Sequence, residues 1–233
     1  MELTKITDES IKNRRRYDDA CGAAHALDLI GERWSLLVMR ELMLGPKRFG
    51  DIKAGLPGIS ANILTQRLEA LEAAGILTHT RLPPPHSVPV YELTPWGYEA
   101  EPILQVLGRW ASRSPAHDPT LPFGAVSLLL SLRTMFAPAR AGDMRAIIGL
   151  ELDGETFTLR IRDGAFEAER GAAKTPDVVF VGAARMVAAA IYGGQALDTL
   201  EAAGALALRG DRAVAARFVT LFPLPPKAER PPV

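Results

Sequence analysis

The chain has 233 residues, 48% of them hydrophobic and 23% charged, and its 27 basic and 27 acidic side chains cancel to a net charge of zero. Such a composition builds packed cores and excludes a mostly disordered chain, and the length suits two domains of about 100–130 residues each. The charges also cancel within each half, so nothing in bulk advertises a polyanionic partner; a nucleic-acid reading must rest on motif and on local placement of charge.

A single cysteine, Cys21, excludes the internal disulfide framework of a small secreted protein. Met1–Asp19 is a charged stretch without the apolar core of a signal peptide, and the longest uncharged apolar run, Leu121–Leu132, is too short to cross a bilayer. A cytosolic protein with no membrane partner is expected. Residues 1–19 read as an N-terminal arm. Helical spacing follows over Ala20–Ile30, ending at Gly31, and over Trp34–Leu44, where Trp34, Leu37, Val38, Glu41 and Leu42 recur and Gly45-Pro46 stops the pattern. A short segment, Arg48–Ala54, precedes the turn Gly55-Leu56-Pro57-Gly58. Ser60 has the character of an N-cap for a helix from Ala61 that buries Ile63, Leu64, Leu68 and Leu71. That helix closes at Gly75, with apolar Ile76 beyond it, in the pattern of a Schellman end.

The period then changes to two strands, Ile76–Arg81 and Val88–Leu93, joined by a stiff loop with Pro83-Pro84-Pro85-His86 at its tip. Thr94 caps a further helix whose first residue is Pro95 and which runs through Trp110 to Ala111. Three prolines in Arg113–Pro122 then deny regular hydrogen bonding and mark a boundary. The expected organisation is a winged helix-turn-helix domain over 20–114, a linker at 115–122, a second domain over 123–222 and a loose Pro-rich tail at 223–233.

The order helix, helix, short helix, tight turn, helix, hairpin, helix is that of a winged helix-turn-helix, in which the short helix supports the next so that its exposed face enters a major groove. The apolar set of the segment after Ser60 leaves Asn62, Thr65, Gln66 and Glu69 on the opposite side. Asn and Gln can pair bidentately with adenine, Thr can touch a thymine methyl, and Ser60 at a helix start suits a phosphate oxygen. Between Gly45 and Val90 five basic residues (Lys47, Arg48, Lys53, Arg67, Arg81) face three acidic ones (Asp51, Glu69, Glu72). The candidate DNA contacts are therefore Lys47, Arg48, Ser60, Asn62, Thr65, Gln66, Arg67, Arg81 and, at the wing tip, His86. For Arg67 the favoured role is structural, a clamp on a carboxylate such as Asp51. The bland alternative for the helix is an amphipathic element with a solvated polar face.

These elements resemble the HxlR-type winged-helix transcriptional regulators, relatives of the MarR type. The likeness lies in Cys21 with Ala26-Leu27-Asp28-Leu29-Ile30-Gly31, Arg33-Trp34, Arg40-Glu41-Leu42, Gly45-Pro46-Lys47-Arg48-Phe49, Leu56-Pro57-Gly58-Ile59-Ser60, Leu64-Thr65-Gln66-Arg67-Leu68, Gly75, and Tyr91-Glu92-Leu93-Thr94 with Gly97. It implies a homodimer joined through terminal helices, here the segment up to Ile30 and Pro95–Ala111, on an inverted-repeat DNA operator. It also implies that Cys21 stands where some members carry an oxidant-sensing cysteine, although Gly22 follows where relatives often have proline. A buried cysteine acting as a small hydrophobe is the favoured alternative.

Beyond Pro122 the pattern gives a helix at Ala125–Phe136, strands at Arg145–Leu152, Thr156–Ile161 and Ala165–Glu169 with Asp153-Gly154 and Asp163-Gly164 turns, and a strand at Asp177–Val181. Helices at Ala183–Ile191 and Leu197–Ala203, a strand at Ala205–Leu208 and a final helix follow. This α+β succession resembles sterol carrier protein 2-like domains through those turns, Pro176-Asp177-Val178-Val179 and Leu208-Arg209-Gly210-Asp211. The resemblance implies an apolar tunnel, and here a hydrophobic small-molecule effector; a packed domain that only adds stability is the alternative. The four histidines lack metal-ligand spacing, and neither a phosphate loop nor a nucleophile elbow occurs, so no metal, cofactor or enzymatic activity is expected. The rival reading is a cytosolic binder of lipid-like molecules whose winged helix serves protein contacts.

Overall fold

The computed structural model describes residues 17–83, 85 and 87–229. Helices α1 (Gly22–Ile30), α2 (Ser35–Leu42), α3 (Phe49–Ala54) and α4 (Ala61–Ala73) lead into the antiparallel strands β1 (Leu77–Arg81) and β2 (Pro89–Leu93). Lys47 adds a one-residue bridge on the far edge of β2, exchanging backbone hydrogen bonds with Tyr91. The expected cap and closure of α4 are present. Ser60 accepts from the Ile63 N–H at 3.2 Å, and Gly75, at φ +73°, lets the Ile76 N–H reach back to the Leu71 carbonyl.

The helix expected from Pro95 to Ala111 is instead two, α5 (Pro95–Tyr98) and α6 (Glu101–Ser112). Pro102 has no N–H to return to Tyr98, so the ladder breaks there. Thr94 holds the first piece, accepting from the Gly97 N–H and donating to the Gly75 carbonyl. Gly97 must be glycine, because a Cβ there would overlap the Ile76 carbonyl oxygen.

The second half begins with α7 (Ala125–Met135) and a short α8 (Pro138–Ala141) that its four-residue length hides from periodicity. Strands β3 (Ala146–Leu152), β4 (Glu155–Arg162), β5 (Ala165–Arg170), β6 (Val178–Gly182) and β7 (Leu206–Gly210) form a mixed sheet of order β5-β4-β3-β6-β7, in which only β3 and β6 run parallel. Both Asp-Gly turns have positive φ at each residue, as type I′ hairpins require. Helices α9 (Ala184–Tyr192), α10 (Leu197–Ala202) and α11 (Arg212–Phe218) complete the α+β domain. One sheet face turns Phe157, Leu159, Ile148, Leu150 and Phe180 inward, while the other carries the ion pairs Arg160–Glu169 and Arg209–Glu151 across strands.

The sequence suggests two cores separated by a linker, but the buried apolar residues form one continuous set from Val38 to Phe222. Helix α7 explains this: Leu128, Leu129 and Leu132 are fully buried, and it packs on α2 and α6 as well as on α9 and β5. A helix whose apolar residues span more than one face has to be covered from several sides, and only Ser127, Ser131, Arg133 and Thr134 of α7 are half-exposed. Ion pairs bind the seam. Arg133 on α7 clasps both carboxylate oxygens of Glu101 on α6 at 2.7 and 2.8 Å and donates to the Ala168 carbonyl.

Two further expectations are corrected. The space implied as a tunnel between sheet and helices is filled by Phe157, Phe180, Phe218 and Phe222; the opening is instead a lateral cleft of about 800 Å³ at the ends of α9–α11. The tail is not loose through Glu229, because Lys227 and Ala228 bond to the carboxyl end of α6.

In the wall of that cleft Tyr192 is half-buried, with its hydroxyl 2.7 Å from Ser131 Oγ; desolvation of the phenolate pushes its pKa up to about 12 against the smaller pull of that hydrogen bond. An unfolded tyrosine titrates near 10, so the folded chain holds this proton more tightly. The resulting stability is complete below about pH 10 and is lost as pH rises toward about 12. Urea midpoints measured across that window should fall less steeply for Tyr192→Phe; identical slopes contradict the assignment.

Candidate nucleic-acid interface

The candidate interface is built on α4. Leu64, Leu68 and Leu71 are buried, and α4 packs on α2 and on β1. The helical period then puts Ser60, Asn62, Thr65, Gln66 and Glu69 outside, and all five are exposed. The preceding turn reverses at Gly58, φ +90°, a conformation that costs a side-chain-bearing residue about 1–2 kcal/mol. Ser60 Oγ spends a lone pair on the Ile63 N–H, which leaves its hydroxyl proton free to donate. Arg48 is exposed at the start of α3. Arg81 is exposed at the end of β1, where Nη1 donates to the Ser87 carbonyl at 3.1 Å.

Two of the expected contacts are withdrawn from the surface. Lys47 is only 7% exposed, with Nζ 3.0 Å from Glu41 Oε2 and 3.7 Å from Glu155 Oε1, so its charge is consumed inside the molecule. Arg67 pairs with Glu32, at 3.1 Å, at the α1–α2 corner, and not with Asp51 on the short helix α3 that the expected clamp would hold. The α1–α2 corner brings Glu32 within reach of α4, a long-range contact that periodicity does not encode. His86 lies outside the described residues.

Cys21 is also corrected. It is exposed, not a buried hydrophobe, and stands at the N-cap of α1. No side-chain cap bond forms, but the backbone N–H groups of Ala23 and Ala24 at the helix start hold its pKa below that of an ordinary thiol. Helix N-termini favour the thiolate in this way.

Sequence reasoning missed the charge network under the site. Glu41 is buried on α2 and accepts from Arg40 Nε (3.1 Å) and Nη2 (2.8 Å) and from Lys47 Nζ (3.0 Å). A signal existed, since Glu41 falls at a core position of an otherwise apolar period. Glu155 extends the network to the second domain, where Arg170 Nη1 meets it at 2.8 Å and the guanidinium lies over the Phe157 ring. Trp34, expected as the first residue of the second helix, instead precedes it at φ +82°, with the Arg33 guanidinium over its indole.

Comparison with known proteins agrees with this geometry. Residues 29–118 match the HxlR-like helix-turn-helix family, and residues 130–223 match the SCP-2 sterol transfer family. The HTH-type transcriptional regulator sll1512 of Synechocystis is 38% identical over 92 residues, which are 40% of this chain and 68% of the relative. The HTH-type transcriptional regulator YodB of Bacillus subtilis is 36% identical over 88 residues, 38% of this chain and 79% of YodB. The crystal structure of the reduced form of YodB is 33% identical, covers 43% of this chain and all (100%) of its own, and superposes with a TM-score of 0.38. The chain belongs to the HxlR family of helix-turn-helix transcriptional regulators, here with an SCP2-like domain after the winged helix.

None of the described helices is long and apolar enough to cross a membrane.

Proposed function

We propose that the chain is a cytosolic homodimer that binds an inverted-repeat operator, reading bases with Asn62, Thr65 and Gln66 and gripping phosphates with Ser60, Arg48 and Arg81. The observation that carries this reading is the polar, outward face of α4 opposite its buried leucines. A helix meant to dock on a protein presents apolar side chains there instead, which weighs against the lipid-binder alternative. We place the functional units at 20–114 and 123–222, with residues 115–122 between them.

The dimer is supported by α6. Its Ile103, Val106, Leu107 and Trp110 form one apolar stripe in water, with Val106 and Trp110 each 70% exposed. Monomeric proteins rarely leave such a stripe uncovered, and a second copy meets it with the same apolar chemistry. Selecting fragments from a random DNA pool should return two half-sites about 10 base pairs apart, centre to centre. Val106→Glu would put a charge into the dimer interface, so sedimentation should show monomers that no longer select paired half-sites. A dimer that persists in this variant overturns the assignment of α6.

The lateral cleft is the proposed effector site, lined by Ala190, Leu197, Ala216, Val219 and Leu224 among others. An apolar ligand there acts only through its differing affinity for the two DNA-binding states of the dimer. Cys21 is a second proposed input. Its exposure and lowered pKa favour attack on oxidants, so oxidant treatment should change operator affinity in the wild type and leave Cys21→Ser unaffected. An equal response in both proteins eliminates the cysteine.

A further inference from the structure

The chain after α11 does two things in the six residues 223–228. Pro223 and Leu224 form part of the wall of the lateral cleft. Immediately beyond them, the Pro226 carbonyl accepts from Arg113 Nε at 3.1 Å, Lys227 Nζ donates to the carbonyls of Ser112 (3.0 Å) and Ser114 (3.2 Å), and the Ala228 N–H donates to the Arg113 carbonyl (2.8 Å). Those carbonyls belong to the last turn of α6 and the residues just after it, where a helix leaves its acceptors unsatisfied. The ammonium of Lys227 also sits at the negative end of the helix dipole.

We propose that residues 223–228 are a strap through which occupancy of the cleft is felt at the carboxyl end of α6, the helix that carries the apolar stripe. Pro223, Pro225 and Pro226 fix φ at half of the positions in the strap, so displacement at its cleft end is passed along the chain instead of being absorbed by backbone rotation. Phe222 anchors the near end: it is buried and packed edge-on against Phe218 (5.1 Å between ring centres) and Phe166 (5.5 Å). The movable part is therefore confined to the stretch between that anchor and α6. A molecule seated against Pro223 and Leu224 prises the strap outward and strips the acceptors of α6 of their donors. This regulation rests on the reading of the cleft as the effector site.

The test needs no ligand. Ala216 is exposed on α11 and lines the cleft, so Ala216→Trp fills the space with an indole. Hydrogen exchange is followed on the full chain at the amides of Arg113 and Ser114, which bond to the Trp110 and Ala111 carbonyls. Ala216→Trp is expected to speed exchange there roughly three- to tenfold, the change that losing one net hydrogen bond produces. Lys227→Ala alone should do the same, and the double variant should go no further, because both act on the same contact. Unchanged exchange in Ala216→Trp, or additive effects in the double variant, overturns the strap. Should Ala216→Trp fail to fold, Ala213→Phe, on the same helix and the same wall, replaces it. Selection of DNA by the same proteins is scored separately. Faster exchange with DNA binding unaltered leaves the strap standing and removes the effector role.

Discussion

Glu41→Ala should be the most damaging single truncation in the winged helix, lowering the unfolding free energy by about 3–5 kcal/mol, the cost of breaking a buried ion pair by removing one partner. Lys47 would be left 7% exposed with only the more distant Glu155 oxygen, at 3.7 Å, to balance its charge. Two guanidinium donors of Arg40 lose their acceptor in the same step. Glu41→Gln keeps an acceptor for Arg40 and should cost less. Gly55→Ala should resemble a weaker form of the same lesion, since a Cβ at Gly55 would overlap Glu41 Oε2 and push the carboxylate out of place. Urea unfolding of the three variants orders them. A loss below about 1 kcal/mol for Glu41→Ala, the value of an exposed pair, shows that the network is solvated.

The second large effect is on recognition and leaves stability alone. Asn62→Ala and Gln66→Ala remove exposed side chains, so the folded state should be nearly untouched. On a selected operator each should weaken binding by about 1–3 kcal/mol while binding to random DNA barely changes. Arg48→Ala should do the reverse, weakening both kinds of DNA alike and making the salt dependence shallower. Competition titrations at two salt concentrations separate the patterns. Equal losses on operator and random DNA for Gln66→Ala take it out of the reading set.

Much of this was legible in the sequence because it is local. The cap at Ser60, the Schellman end at Gly75 and the Asp-Gly hairpins each depend on residues within a few positions of one another. The polar face of α4 follows from a single period. What stayed hidden depends on distant partners. Lys47 reads as one more cation on a basic loop until Glu155, over a hundred residues away, is folded against it. Glu32 and Arg67 meet only because of the α1–α2 corner. Periodicity put Glu41 among apolar residues of one helical face, but it could not say which residue would neutralise it. Cys21 was misjudged for a related reason: free cysteines are usually interior, and only the start of α1 puts this one in water.

The continuous packing around α7 bears on how such a regulator can signal at all. With Arg133 clasping Glu101, and Leu128 and Leu132 sealed between the two halves, the SCP2-like half is not a weight swinging on a tether. Its packing resists swinging as a rigid body, so any change passed between the halves takes the form of small, stepwise shifts of packed side chains or of the short strap beside them, the way a gear train moves and a hinge does not.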